Sequence, residues 1–468
     1  MIAPGERRND AAAQGTRAPM TDWIVDRLER WQDKPAVILD AGVVTYAALL
    51  RQYHSHAGQI DLHAVRAGDV VAVQADQSAA SIAVLLAIAA RGAIAMPLPD
   101  VGSTEALEHA GARWLLEPRG DGDFWWRDIG ARDPRHPLID ELVAAGEGGL
   151  ILLSSGSTGG PKLILHSFTR LLARFVGEPR KARATIGFLK FDHIGGLNTA
   201  LHTCACGGTL VGIRDRSVDT VCAAIQAHAV ELLPTSPTFL NMLIVQRAHE
   251  RYDLSSLELI SYGTEVMPAS TLRTLHAVLP QVRLLQTYGL SELGILASAS
   301  GSSDSLWMRL GGEGVEAEVR DGVLWVRSAA RMVGYLNSPS PFVDGWFCTG
   351  DRVEVNGDTL RVLGRASEVI NVGGEKVHPA EVESVILEMS EVVDAVAFAH
   401  PSAVTGQVVG ARICPSGSVC ADELRRRVRS YCAERLPRHM VPLRIELVAR
   451  DAIVGERQKR LRRWSAPE

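Results

Sequence analysis

The stretch Leu153-Ser154-Ser155-Gly156-Ser157-Thr158-Gly159-Gly160-Pro161-Lys162 decides how this chain is read. Its three glycines, four hydroxyls and one lysine follow a short apolar run, residues 150–153, that predicts a buried strand. Glycine lets a backbone turn sharply and bring its N–H groups to a ligand. The hydroxyls add donors and Lys162 adds a mobile positive charge, a composition suited to a polyphosphate. The common NTPase P-loop is excluded: its lysine follows a glycine and precedes Ser or Thr, whereas Lys162 stands between Pro161 and Leu163. Leu163, Ile164 and Leu165 predict a second strand, and Ser167 is a plausible N-cap before a helix opening at Phe168. The loop is therefore expected as a flap between two strands. Taken alone, the same residues would serve as well as a Gly/Ser surface turn.

A chain of 468 residues exceeds one ordinary core, so two or more domains are expected. Apolar content of 46% and charged content of 22% describe a soluble globular protein. A net charge of −5 gives no reason to expect a nucleic-acid or membrane surface. The longest apolar run, residues 82–95, is broken by Arg91 and Gly92 and is too short to span a bilayer. The first twenty residues are polar and mixed in charge, without the apolar core of a signal peptide, and read as a disordered lead-in. A cytoplasmic location is expected. The seven cysteines include no C-x-x-C pair, and nothing near Cys204 and Cys206 completes a zinc site, so buried free thiols are expected.

Strand and helix alternate along the chain. Residues 70–73, 79–91 and 93–96 read as strand, helix and strand, with Gly92 in a C-cap position, which makes a βαβ unit and implies a parallel sheet. Residues 185–188, 230–234 and 257–261 predict further strands, and Asp192-His193 opens a helix in which Asp192 could cap or orient His193. Tyr262-Gly263-Thr264-Glu265 is a turn leading to a helix near Pro268. Residues 324–326 and 332–336 suggest short strands of a small β-rich subdomain.

Several of these segments match, in order, the motifs of the adenylate-forming superfamily, the acyl-CoA synthetases, peptide-synthetase adenylation domains and luciferases. The loop at 153–162 resembles its phosphate-binding motif, Tyr288-Gly289-Leu290-Ser291-Glu292 its Tyr-Gly-x-Ser/Thr-Glu core, and Gly345-Trp346-Phe347-Cys348-Thr349-Gly350-Asp351 its Gly-Trp…Thr-Gly-Asp signature. Asn371 to Glu383 and the tail Lys459-x-x-Arg462 complete the set, which covers nearly the whole chain and is closest to acyl- and aryl-CoA ligases. The resemblance implies an α/β fold: a large N-terminal domain (21–364) of βαβ-layered sheets with a small β subdomain, a hinge at 365–368, and a small mobile α+β lid domain at 369–468.

The resemblance also implies the reaction: ATP activates a carboxylic acid to an acyl-adenylate, and a thiol, of coenzyme A or of a carrier-protein phosphopantetheine, then displaces AMP. ATP would lie on Ser154, Ser155, Gly156, Ser157, Thr158, Gly159 and Lys162, with the adenine edge on Gly263, Thr264 and Glu265. Tyr288 would stack on the base, Gly289 and Ser291 would line the turn, Glu292 would hold Mg²⁺, Asp351 would accept from the ribose hydroxyls, and Arg365 would contact ribose or phosphate. His193 matches a residue bordering the acyl pocket, and Gly374 one lining the pantetheine tunnel. Lys459 is the candidate for bridging carboxylate and α-phosphate; Gln458 stands where relatives have glycine, so Lys376 and Arg457 stay open. The partners implied are a small acid, a carrier protein as one possible acceptor, no nucleic acid and no membrane, in a monomer or homodimer serving secondary metabolism. Rival readings are transfer to an amine, activation of a non-carbon acid such as nitrite, and a nucleotide-binding relative without turnover.

Overall fold

The computed structural model describes residues 22–99, 104–120, 122–130, 135–154, 161–177, 180–213, 215–312, 314–417, 420–455 and 460. The lead-in, most of the phosphate loop (Ser155, Gly156, Ser157, Thr158 and Gly159) and Lys459 lie outside them. The chain divides into two compact units.

The first unit is formed by Val44–Glu178 with the chain up to Lys34 and with Val333–Ser338. Its parallel core is Gly149–Ser154, Ile94–Leu98, Val70–Gln74 and Ala112–Pro118, in that order across the sheet. Antiparallel strands Lys162–Ser167 and Phe124–Asp128 extend its two sides. The crossover between Val70–Gln74 and Ile94–Leu98 is the helix Ala79–Ala90, apolar on every face and buried along its full length, as suits a helix enclosed on all sides. Ser78 caps its start by accepting from Ser81 N–H, and Gly92 leaves it at φ +73°. Gly148 meets the helix so closely that a Cβ there would stand 2.5 Å from the Ala89 carbonyl oxygen.

One expectation is corrected here. Residues 332–336 do not join a small β subdomain: Gly334–Tyr335 pairs antiparallel with Lys162–Ser167 and becomes the edge of this first sheet. Two residues of strand carry no pattern that identifies the sheet they join.

The second unit contains three sheets. The largest parallel run is Arg283–Gln286, Leu259–Tyr262, Leu232–Thr235, Ala184–Gly187, Thr209–Gly212 and Pro35–Leu39. Ile186, Phe188, Phe239, Leu240, Ile260 and Leu284 fill the core on it. An antiparallel sheet follows, built on the strands Tyr288–Leu290, Gly294–Ser300, Trp346–Asn356 and Thr359–Arg365 among others. One turn of 3-10 helix, Ala366–Glu368, then leads to the C-terminal sheet of Ile370–Val372, Val392–Ser402, Gly406–Pro415 and shorter strands. Helices Pro379–Ile386 and Ala421–Arg435 pack on that sheet through Val382, Ile386, Leu424 and Val428, giving the α+β arrangement expected of this region.

Within this unit the C-terminal part is tied to the helices Pro237–Val245 and Ala269–Val278. Asn241 Nδ2 donates to the Val393 carbonyl at 2.8 Å, Ser270 Oγ to the Ser384 carbonyl at 2.9 Å, and Arg273 pairs with Glu388 at 2.8 Å. Cys204, Cys206, Cys222 and Cys432 are buried free thiols as expected, but Cys348 and Cys420 are exposed. Among the described residues no helix is long and apolar enough to cross a membrane.

Candidate active site

Three neighbouring parallel strands end side by side, with Thr235 opposite Tyr262 and Tyr262 opposite Gln286. The carboxyl ends of such strands are where open α/β sheets bind ligands. Here they deliver the segments that carry most of the expected site. The Tyr262–Glu265 turn and the approach to Tyr288 are stitched together, since Thr287 N–H and Oγ1 both donate to the Tyr262 carbonyl, at 2.8 and 3.1 Å. A Cβ on Gly263 would fall 2.7 Å from the Thr287 carbonyl oxygen, so only glycine allows this approach. Thr264 sits at φ +73°, a left-handed conformation unfavourable for a β-branched residue and typical of a functional turn.

Tyr288 opens the next hairpin and is buried, with its hydroxyl donating to Asp351 Oδ2 at 2.6 Å. Asp351 and Arg365 are directly opposed on the hairpin of Trp346–Asn356 and Thr359–Arg365, and Arg365 Nε meets Asp351 Oδ1 at 3.0 Å. Asp351 N–H donates to Thr349 Oγ1, and Arg365 donates from Nη1 to the Thr349 carbonyl. Burial lifts the Asp351 carboxyl above its ordinary value, against the opposing pull of Arg365 and of the Tyr288 hydroxyl. Burial, with the neighbouring carboxylate, raises the Tyr288 phenol well above its usual range, so it stays protonated and donating at neutral pH. The result is a carboxylate held in place by one cation and one hydroxyl. Each of its oxygens has a second lone pair still available to a diol.

Ser291 and Glu292 lie half-buried in the turn after Tyr288–Leu290, and the Glu292 carbonyl accepts from Met332 N–H at 2.8 Å. Gly289 is closely packed, a Cβ there standing 2.7 Å from the Gly294 carbonyl oxygen. His193 is the N-cap of the helix Ile194–Ala205: its Nδ1 accepts from Gly195 N–H at 3.1 Å. Asp192 is buried beside it. The Glu265 carboxylate is engaged away from a turn-only role, accepting from Thr238 Oγ1 at 3.0 Å on each oxygen and from the backbone N–H of Arg460 at 3.0 Å. Gly374 occupies an exposed hairpin turn at φ +98°, its N–H bonded to Asn371 Oδ1.

In the first unit, considered by itself, Ser154 and Lys162 face each other across the antiparallel pair that brackets the phosphate loop. Sequence reasoning did not find what supports them. Lys162 Nζ lies 4.8 Å from the centre of the Tyr335 ring. Asn337 accepts from Leu163 N–H and donates to the Pro161 carbonyl, each at 2.9 Å. The loop's exit strand is thus clamped by a segment more than 170 residues further along. Nothing in Tyr335-Leu336-Asn337 taken as sequence signals that.

The model of the AMP-binding enzyme family matches residues 24–336, and that of the AMP-binding enzyme C-terminal domain matches residues 381–454. The chain belongs to the AMP-binding enzyme family. It is an adenylate-forming enzyme. It is 25% identical over 457 residues to a 2-succinylbenzoate–CoA ligase of Bacillus cytotoxicus, covering 90% of this chain and 93% of that one. Among solved structures, the anthranilate CoA ligase AuaEII in complex with anthranoyl-AMP superposes with a TM-score of 0.79 at 20% identity, covering 94% of this chain and 95% of that one. The amide bond synthetase McbA from Marinactinospora thermotolerans superposes with a TM-score of 0.73 at 23% identity, covering 94% and 98%. These two likenesses speak to the fold.

Proposed function

We propose that this ligase converts a small acid, with an aryl acid as the preferred class, to its acyl-adenylate and then to the thioester of coenzyme A. The observation that carries the reading is the Tyr288–Asp351–Arg365 cluster, in which one hydroxyl and one guanidinium hold a buried carboxylate. A carboxylate oxygen of the acid attacks the α-phosphorus, the bond to the β-phosphate oxygen breaks, and pyrophosphate leaves. The coenzyme A thiol, losing its proton, then attacks the acyl carbon and AMP departs with the electron pair of the broken C–O bond.

The first step concentrates negative charge, so the residues needed are cations and donors held in position rather than a covalent nucleophile. Lys162 and Lys459 would oppose that charge, with Ser154 and the loop's hydroxyls and N–H groups around the phosphates. Tyr288 and Asp351 would hold the nucleoside in line. His193 would border the acyl pocket, and Gly374 the path of the thiol.

Among the described residues no cluster of three or more His, Cys, Asp or Glu could cage a metal. The half-buried Glu292 nevertheless fits Mg²⁺, which favours one or two carboxylates with phosphate oxygens rather than a protein cage. When bound there, Mg²⁺ would neutralise phosphate charge. ATP and coenzyme A are cytoplasmic metabolites, and the cytoplasm is the compartment proposed.

Pyrophosphate exchange across aryl, fatty and amino acids, followed by product analysis with and without coenzyme A, tests the proposal. Exchange dependent on an aryl acid, with thioester formed only when coenzyme A is present, is expected. Nucleotide binding without exchange for any acid would leave a non-catalytic relative, and AMP release driven by an amine but not a thiol would overturn the acceptor.

A further inference from the structure

The strand Lys162–Ser167, which leaves the phosphate loop, is paired along one side with Gly149–Ser154, Ser154 standing opposite Lys162. On its other side lies a short strap, with Gly334 opposite Leu165 and Tyr335 opposite Ile164. In an antiparallel pair the N–H and C=O of alternate residues point to the same side. The polar groups of Leu163 and the carbonyl of Pro161 therefore face the strap, and Leu336 N–H meets the Leu163 carbonyl at 2.9 Å. Continuing that register puts Asn337 opposite Lys162. There the strap stops being a strand, and Pro339, two residues on, has no N–H to donate. The Asn337 side chain takes the two groups left over: it accepts from Leu163 N–H and donates to the Pro161 carbonyl, each at 2.9 Å. A carboxamide carries the donor and acceptor of a peptide unit, so Asn337 extends the sheet by one residue that the backbone does not supply.

Both groups that Asn337 holds belong to the residues on either side of Lys162. The lysine side chain is governed from the same strap. Lys162 is diagonal to Tyr335 across the pair, and its Nζ lies 4.8 Å from the ring centre, within reach of the attraction between an ammonium and a ring face. Tyr335 is buried, so the ring is fixed. The strap does not depend on either contact for its seat, because Val333 and Leu336 pack on the core formed by Ile151, Leu163 and Leu165. Asn337 itself is exposed, and water could satisfy the same two backbone groups with little change in stability. What the side chain adds is geometry. A lysine pinned through its neighbours, with its ammonium resting on a ring, has less freedom to lose when it meets a phosphate.

We infer that Asn337 and Tyr335 are positioning residues, the first for the backbone and the second for the ammonium of Lys162, so that this cation meets the triphosphate in one place. The inference rests on the function proposed above, in which Lys162 opposes phosphate charge. That charge departs with pyrophosphate, so the two residues have no part in thiol transfer.

The test uses the full chain with Asn337→Ala, Asn337→Leu, Tyr335→Leu and Tyr335→Phe, each made also in a Lys162→Met background. Acid-dependent pyrophosphate exchange and thioester formation from a synthetic aryl-adenylate and coenzyme A are measured separately, with melting temperature as the check on folding. Asn337→Ala should lower kcat/KM for ATP in the exchange on the order of tenfold, the effect of a loosened binding group. Tyr335→Leu should lower it roughly threefold, as the loss of one cation–ring contact does. Transfer from the supplied adenylate should stay near wild type in both. Asn337→Leu fills similar space without the two bonds and should match Asn337→Ala, which serves if the alanine variant does not fold. Tyr335→Phe keeps the ring and should recover most of what Tyr335→Leu loses. With Lys162→Met in place, neither Asn337→Ala nor Tyr335→Leu should cost anything further, because a residue acting through Lys162 then has nothing to act on.

Losses that add to that of Lys162→Met overturn the inference. So does an equal loss in thiol transfer, or unchanged exchange in a folded Asn337→Ala. If the wild-type protein exchanges pyrophosphate with no acid, the proposed function fails instead. The same cycle of single and double variants, read in the affinity for ATP, then decides whether the strap positions Lys162.

Discussion

Two arginine–carboxylate clusters in the second unit use the same chemistry in opposite ways. Asp351 and Arg365 are neighbours across one hairpin, and Arg365 keeps 45% of its side chain exposed. Arg460 with Asp394 and Glu383 is sealed, no member more than 3% exposed, and drawn from three separate segments. The first is set by local strand pairing and remains open on one side, as a ligand site must. The second joins the tail to the helix Pro379–Ile386 and the strand Val392–Ser402, and only the backbone N–H of Arg460 reaches beyond them, to Glu265. On the proposed function, one is a nucleotide site and the other a fastening.

The largest effect that separates them is on stability. Asp394→Asn leaves Arg460 buried with only the distant Glu383, and breaking a buried pair costs about 3 kcal/mol or more. Asp394 Oδ2 and Arg460 Nη2 lack a hydrogen-bond partner among the described residues, so only the looser pair with Glu383 would remain to Arg460. Urea unfolding followed at the C-terminal part measures it. A cost below about 1 kcal/mol would place this cluster with ordinary surface pairs.

The corresponding change in the first cluster, Asp351→Asn, should show in function rather than in stability. Arg365 is exposed enough for water to take over the lost charge, so unfolding should shift by about 1 kcal/mol or less. The apparent affinity for ATP should fall roughly 100-fold, since charge-assisted bonds to a diol would be lost along with the hold of Arg365 and Tyr288. Adenylation at saturating ATP should fall less. Loss of stability without loss of ATP affinity would mean that Asp351 is a fastening too.

How far each cluster can be read from sequence follows from the same contrast. Tyr288, Asp351 and Arg365 stand in motifs whose residue types and order are informative, and a hairpin does the rest over a few residues. The buried helix Ala79–Ala90 and the Ser167 cap are legible for a similar reason, because periodicity and capping act within one or two turns. Arg460 was legible only as one of five cations in a basic tail, to be read as a solvated face or an anion-binding arm. Its partners lie 66 and 195 residues away in Asp394 and Glu265, and no local pattern signals such a meeting. Tyr335 and Asn337 escaped for the same reason. The sheet that Gly334–Tyr335 joins is decided by pairing with Lys162–Ser167, and that information is not in the two residues.

Tyr288→Phe sharpens the comparison with a smaller effect. The ring remains to stack, and only the hydroxyl on Asp351 Oδ2 is removed. One buried hydrogen bond to a charged acceptor is worth about 1.5 kcal/mol, so the KM for ATP should rise about tenfold with little change in kcat. An unchanged KM would show that Arg365 alone sets the carboxylate, and the site would then be a simple ion pair like its counterpart.

The smallest effect belongs to a buried titratable group whose pairing is incomplete. His56, in the first unit, is 1% exposed, neither ring nitrogen has a hydrogen-bond partner among the described residues, and its nearest charge is Asp123 at 3.9 Å. Burial lowers its pKa below the ordinary 6.5, and the pull of Asp123 only partly opposes this. The folded state thus holds His56 neutral at a pH where the unfolded chain has begun to bind a proton. Stability contributed by the neutral ring is complete above pH 6.5 and declines as pH falls from there towards the lowered folded value. Melting temperature measured from pH 7.5 to 5.5 should therefore drop in the acidic half of that range, and His56→Leu should flatten part of the drop. An identical pH profile for the variant would mean that water reaches the ring and completes the pairing, as it does for Arg365 and not for Arg460.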